Sequence, residues 1–398
     1  MVNEQFATRG DDNLPSSSGM VVSEVNYFAH EKHRLVGAIN ASLEFAGSFT
    51  DLLICEGEPV TIKSAQGVVC LSEMNILGTD MVVTQQDIQD FFCHFLGEQP
   101  VTTNARDYWE QNVGPALAEH GSVSRSACTP NGEYLRVSLF QQKRGRNSMV
   151  IRVTRPPQEL DSLGLPAPLL KRLKVNPRGL LVITGPTASG KTSTALSILD
   201  WLNKNTASHI VTVEDPIEFP MEREHSVFTQ REVGTDVDTF AAGLRDAMRH
   251  SPDAILASEV RDKESAEAAI FGGESGALMI VTTHGRSITG TLRKLLALTG
   301  DQAGAMRSVM AWSLMGVIRQ DLAPHSNGKG YSMVCDVLIP GEQVRQRIED
   351  GEWLKLEKQL QGNVPSDEFF PMGEMVNDLA RRRVIAPDVA SAILKGVG

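Results

Sequence analysis

Eight residues from Gly185 to Thr192 read GPTASGKT, and the spacing GxxxxGKT is that of a loop that holds phosphate. A phosphate chain needs converging main-chain N–H groups, a backbone approach close enough to require glycine, and the positive end of a helix behind it. The apolar run GLLVIT precedes the loop and TSTALSILDWL, with helical spacing at Ala195, Ile198, Leu199 and Leu202, follows it, so strand, loop and helix are all in place. The expected cradle comprises Gly185, Pro186, Thr187, Ala188, Ser189, Gly190, Lys191, Thr192 and Ser193. Lys191 reaches for the β- and γ-phosphates in this pattern, and the Thr192 hydroxyl is a ligand for Mg²⁺.

Three later apolar runs end in groups able to complete a phosphoryl-transfer site. HIVTV ends in Glu214 and Asp215, DAILAS in Glu259, and GALMIVTT in His284. In an open parallel sheet the carboxyl ends of the strands form the ligand crevice, so these groups converge on the phosphate loop. Glu259 is the candidate for polarising the attacking water. Ser258 stands before it, where many such strands carry an acid, so Mg²⁺ contact there is expected through water. An NKxD motif for guanine is missing from NKNT at Asn203 to Thr206, which favours ATP over GTP. Loose phosphoryl transition states are stabilised by guanidinium groups, often from another domain or subunit. Arg136 and Arg152 are the candidates. Each stands on a strand of a hairpin where Leu135, Val137, Leu139, Met149, Ile151 and Val153 form the alternating apolar face, which turns both arginines away from the local core.

The elements that position these groups fit a chain of 398 residues, long enough for two or three domains at roughly 150 residues each. Residues 1–27 are polar and aperiodic and are expected to form a flexible tail. Residues 28–155 form a small α+β unit, 156–164 a Pro-rich linker, 165–340 an α/β unit of alternating strands and helices, and 341–398 a helical region. Beyond Asp301 the pattern is mainly helical, with Met306, Met310 and Met315 as core residues and a closing helix pair split by Pro387. The five cysteines have no CxxC spacing, against a zinc ribbon or a disulfide framework. A net charge of −11 opposes nucleic acid and anionic membranes, so no direct nucleic-acid binding is expected. No run approaches the roughly 18 apolar residues of a transmembrane span, and the opening lacks the apolar core of a signal peptide, so the expected location is cytoplasmic.

TDLLICEGEPV, LRVSLFQQKRG, GPTASGKT, TVEDPIEF, QREVGTD, ASEVRD and TTHG together resemble the PilT-like secretion and pilus motor ATPases, relatives of the GspE-type enzymes. The resemblance spans most of the chain. It implies a PAS-like N-terminal domain, a RecA-like P-loop ATPase domain with C-terminal helices, and a homohexameric ring at the inner-membrane platform of a pilus or secretion system. It also implies roles: Glu214 and Asp215 in an Asp box, Glu259 in the Walker B segment, His284 in a His box, and Arg136 and Arg152 at the γ-phosphate. Glu214, Glu259 and Thr192 are the expected metal ligands. The chain carries SEVRD where the family usually has GEMRD and THGRSI where it has LHTNSA. Such drift also suits the branch that serves conjugation and type IVB secretion, of the TraJ and DotB type. Two alternatives are a nucleic-acid-stimulated translocase and a non-hydrolysing nucleotide-binding subunit.

Overall fold

The computed structural model describes residues 34–45, 49–64, 67–74, 81–95, 105–128, 133–142, 145–327, 330–361 and 368–396. The expected tail, residues 1–27, and Lys143 and Arg144 of the basic hairpin turn lie outside them. The chain begins with α1 (Arg34–Phe45), β1 (Phe49–Cys55), β2 (Thr61–Ser64), β3 (Gly67–Cys70), α2 (Gln85–Phe95), α3 (Ala105–Tyr108), α4 (Gly114–His120), β4 (Ser122–Cys128), β5 (Tyr134–Gln142) and β6 (Arg146–Thr154). These strands form one sheet in the order β3-β2-β1-β6-β5-β4, with every neighbouring pair antiparallel. The alternation in the hairpin is realised. Leu135, Val137, Leu139, Met149 and Ile151 are buried in one cluster with Leu35 and Ile39 of α1 and Ile88 and Phe92 of α2. Arg136 pairs in register with Arg152, so both guanidinium stems leave from the opposite face of the sheet.

A 3₁₀ turn at Leu160–Leu163 follows, and its Leu160 and Leu163 are buried in the core of the second unit. Then come α5 (Ala167–Val175), β7 (Gly179–Thr184), α6 (Lys191–Asn205), β8 (His209–Glu214), β9 (Val227–Glu232), α7 (Phe240–Ala247), β10 (Ala254–Ala257), α8 (Lys263–Gly272), β11 (Leu278–Thr283), α9 (Ile288–Leu298), α10 (Ala303–Ser313), β12 (Leu314–Pro324), β13 (Tyr331–Leu338), α11 (Glu342–Asp350), α12 (Trp353–Gln361), β14 (Phe369–Phe370), α13 (Met372–Arg381) and α14 (Pro387–Gly396). The second sheet has the order β14-β13-β12-β7-β11-β10-β8-β9, parallel from β12 to β9 and antiparallel from β12 to β14. Leu180 and Val182 of β7 enter one apolar layer while Leu181 and Ile183 enter the other, so this strand is covered on both faces. A run such as GLLVIT, with no polar alternation, is what burial on both faces requires.

The mainly helical expectation beyond Asp301 is corrected here. Met306 and Met310 of α10 and Met315 are all buried in the core, but Met315 lies on β12, which runs parallel to β7 and antiparallel to β13. Leu314 to Gln320 are all buried, so polar residues do not alternate with apolar ones and the period of two is erased. One of the polar residues responsible, Arg319, forms a buried ion pair with Asp336 of β13 at 2.9 Å. Asp336 also accepts from the main-chain N–H of Met372 at 2.7 Å, which pins α13 to the sheet. Removing one member of a buried pair leaves the other charge desolvated and uncompensated. Asp336→Ala is expected to cost about 3 kcal/mol of unfolding free energy, measurable as a lowered urea midpoint.

Candidate active site

The phosphate loop connects β7 to α6, and its backbone is shaped by its own sequence. Gly190 has φ +82° and serves as the N-cap of α6 with no side-chain cap, so the first-turn N–H groups of the helix point into the loop. A Cβ at Gly185 would run into the main-chain oxygen of Gln320 on β12 and the hydroxyl of Ser189, so that turn excludes any larger residue. Gln320 in turn donates to the carbonyl of Ser189 at 2.7 Å. The hydroxyl of Ser189 and the second side-chain atom of Gln320, its Oε1, are buried without partners. An uncapped helix start, a glycine cradle and an orphaned hydroxyl fit a phosphate group.

Lys191 is buried, and its ammonium donates to the carbonyls of Pro186 at 2.7 Å and Gly185 at 3.3 Å. Burial pushes its pKa below the ordinary lysine value, against the pull of Glu259 and Glu218. The same ammonium lies 3.4 Å from Nδ1 of His284, and Nε2 of that ring lies 3.1 Å from Oε1 of Glu259. An ammonium has no lone pair, so Nδ1 must accept and the proton of a neutral ring sits on Nε2, where it is donated to Glu259. The other oxygen of Glu259 is held by Arg261. The ends of β10 and β11 and the phosphate loop are thereby joined through one polar chain: Arg261, Glu259, His284, Lys191.

Glu259 is held below the usual carboxylate range, first by the hydrogen bond from Arg261, with His284 adding to the effect and partial burial opposing it. It is therefore ionised at neutral pH, as a proton acceptor must be. A depressed pKa places the acid limb of activity below the ordinary range for glutamate. Arg261→Gln removes the largest cause of the depression, and the acid limb of a kcat–pH profile is expected to move upward toward that range.

Glu214 and Glu218 lie on the far side of the loop. Glu214, at the end of β8, is fully buried. It accepts from the Thr212 hydroxyl at 2.8 Å, from Gln230 of β9 at 3.2 Å and from the main-chain N–H of Glu218 at 3.3 Å. Burial raises its pKa against those three hydrogen bonds. Its contacts fix the loop Asp215–Glu218, and none of them is to Thr192. Glu218 instead lies beside the Thr192 side chain and within the fields of Arg152, Lys191 and Arg136. Arg152 is oriented by an ion pair with Asp51 of β1 at 2.9 Å, the buried residue directly opposite it in the sheet. Tyr134 of β5 meets Phe219 edge to face at a centroid distance of 6.4 Å, so the first sheet meets the loop after β8 beside this cluster.

The structure thus brings Lys191, His284 and Glu259 together, and sets Glu218 beside Thr192 within electrostatic reach of the hairpin arginines. Glu218, Arg261, Gln230 and Gln320 were not singled out by the sequence reading. Glu218 and Arg261 lie within TVEDPIEF and SEVRD, so motif membership carried a signal for them; Gln320 is brought in only by a strand that the sequence pattern did not reveal. For Mg²⁺, the Thr192 hydroxyl and the Glu218 carboxylate are hard oxygen donors of the right kind. Among the described residues no cluster of three acidic, histidine or cysteine side chains could cage a metal. A sparse protein ligand set is the usual arrangement where phosphate oxygens and water complete the shell.

A glycine-lined loop between a central parallel strand and a helix, with an acid and a histidine on neighbouring strand ends, defines a P-loop nucleotide-binding protein. The family described as "Type II/IV secretion system protein" matches residues 132–363, and the chain belongs to that family. The chain is 33% identical over 233 residues to "Type IV pilus retractation ATPase PilT" of Pseudomonas aeruginosa, covering 58% of this chain and 67% of the relative. Among solved structures, "Crystal Structure of the Pilus Retraction Motor PilT and Bound ADP" superposes with TM-score 0.70 at 27% identity, covering 89% of this chain and 95% of the other. The DotB ATPase of Legionella pneumophila shares the fold, with TM-score 0.73 at 20% identity over 91% and 94% of the two chains. The chain is an ATP-hydrolysing enzyme. Among the described residues no helix is long and apolar enough to cross a membrane.

Proposed function

We propose that this chain is a motor ATPase that assembles as a homohexamer and, with Mg²⁺, hydrolyses ATP to power a type IV pilus, conjugation or type IVB secretion machine. The N-terminal unit is read as PAS-like and the second unit as RecA-like. The ring sits in the cytoplasm against the inner-membrane platform of that machine. One observation carries the reading: Tyr134 of β5, on a separate sheet, packs edge to face on Phe219, beside a Glu218 carboxylate that Arg136 and Arg152 of that sheet and Lys191 of the phosphate loop all reach electrostatically. Two structural units therefore share one polar site, as a device that turns nucleotide state into domain movement requires.

In the proposed step the terminal phosphoryl group lies over the cradle with Lys191 and the N-terminus of α6. Water attacks phosphorus in line, its proton passes to Glu259, and the bond to the ADP oxygen breaks to give ADP and inorganic phosphate. Glu259 is held for this by His284 and Arg261. Thr192 and Glu218 are the residues that would hold Mg²⁺, which would neutralise phosphate charge there. Arg136 and Arg152 neutralise the charge that spreads over the phosphoryl oxygens, and their withdrawal after phosphate release lets the two units separate. Glu214 organises the 215–218 turn from its buried position.

The test is phosphate release by the purified chain with ATP or GTP, alongside its mass by light scattering. A hydrolytically active hexamer that prefers ATP and is indifferent to added single-stranded DNA supports the reading. A ring that binds ATP without releasing phosphate, or one that requires DNA, overturns it in favour of a regulatory subunit or a translocase. Arg136→Ala and Arg152→Gln are each expected to lower kcat by about tenfold or more. The glutamine at 152 retains a donor for Asp51, so the sheet is not left with an unpaired buried carboxylate.

A further inference from the structure

At the sheet edge opposite the phosphate loop, an open cavity of about 820 Å³ lies where β7, β11 and β12 begin. Lys171 and Arg172 of α5, Arg178 before β7 and Arg345 of α11 line it, against a single carboxylate, Glu274. The chain as a whole carries −11, so a cavity this basic runs against the background charge of the molecule. Among the described residues none of the four cations has an ion pair with a carboxylate, in contrast to Lys174 on the same helix, which binds Asp161 at 2.6 Å. Arg345 is pushed below its usual pKa by burial and then by the like charge of Arg172. Like charges gathered without counter-charge are costly and are relieved by an anion.

We infer that this cavity is a docking site for a carboxylate-bearing, partly apolar peptide segment of a protein partner. A peptide is favoured over phosphate for two reasons. Arg345 already donates to the carbonyls of Ala311, Trp312 and Leu314 at 2.7 to 2.9 Å, and Arg172 to that of Met315 at 3.3 Å, so Lys171 and the fork of Arg178 are the donors left, enough for single carboxylates but few for the many oxygens of a phosphate chain. Apolar anchors are also present. Trp312 is 50% exposed, with its indole N–H fixed on Glu349 at 2.8 Å, and Val175 is 74% exposed. An aromatic surface beside cations is the composition that recurs at protein recognition sites. The docked segment touches the beginning of β7, the strand whose other end carries the phosphate loop. The inference does not depend on which machine the ATPase serves.

The experiment measures anisotropy of a fluorescein-labelled hexapeptide alternating glutamate and leucine, titrated with the full chain at low salt. A lysine–leucine hexapeptide, inorganic tripolyphosphate and phosphatidylglycerol vesicles are run as competitors. The acidic peptide is expected to bind, and Lys171→Glu with Arg178→Glu to weaken it by about tenfold or more. Lys395→Glu on α14 serves as a distant reversal and is expected to leave binding within about twofold. Lys171→Gln with Arg178→Gln gives a smaller drop in the same direction, and melting curves check that each variant is folded. No binding of the acidic peptide, equal binding by the double reversal, or displacement by tripolyphosphate or vesicles but not by excess unlabelled acidic peptide overturns the inference.

Discussion

Glu259→Gln is expected to lower kcat by about a thousandfold while ATP binding changes by only a few-fold. Glutamine keeps the size of the side chain but cannot accept the proton of the attacking water. Its amide can accept from only one of the two donors that hold the wild-type carboxylate, Nε2 of His284 and the guanidinium of Arg261. Arg261 is the more exposed partner and is the one free to turn to solvent. Lys191, Thr192 and the loop N–H groups are untouched, so the contacts to the phosphates survive. Steady-state phosphate release and equilibrium binding of a fluorescent ATP analogue separate the two effects. Wild-type turnover by this variant would remove Glu259 from its role, and loss of both turnover and binding would mean that the polar chain through His284 holds the loop itself. Lys191→Ala provides the contrast, because it removes the cation at the phosphates and is expected to impair binding and turnover together.

The legibility of the site in the sequence follows from how each residue is placed. Gly185, Gly190, Lys191 and Thr192 are set by local backbone requirements, so a short motif contains them. Glu259 and His284 stand just beyond apolar strands, where the rule of strand carboxyl ends applies. The hairpin alternation also revealed which way Arg136 and Arg152 leave their sheet. Three features escaped. Glu218 lies past the end of its strand, and the turn that brings its N–H back to Glu214 sets it beside the phosphate loop. Asp51 is separated from Arg152 by a hundred residues of chain and is joined to it by register, which no local pattern encodes. The strand β12 contributes Gln320 to the cradle, yet burial on both faces and the Arg319–Asp336 pair hid it as a strand.

The contrast between two glutamates four residues apart gives the sharpest test of how the metal side of the site is organised. Glu218→Gln is expected to raise the Mg²⁺ concentration needed for half-maximal turnover by about 10- to 100-fold, because it removes the negative charge beside Thr192 while leaving a group able to hydrogen-bond it. The same change also removes the counter-charge toward which Arg152 and Arg136 are drawn, so saturating Mg²⁺ should restore only part of kcat. Glu214→Gln behaves differently. Its side chain is wholly buried, and three donors converge on it, from Thr212, Gln230 and the N–H of Glu218. Burial already opposes its charge, so a neutral amide is tolerated electrostatically, but one end of that amide turns donors toward donors. Its expected signature is a lower melting temperature and a moderate fall in kcat with no change in the Mg²⁺ requirement. Titrating Mg²⁺ at fixed ATP for both variants decides between them. If the requirement shifts for Glu214→Gln and not for Glu218→Gln, the buried glutamate reaches the metal after all, and the turn from Asp215 to Glu218 must rearrange when nucleotide binds.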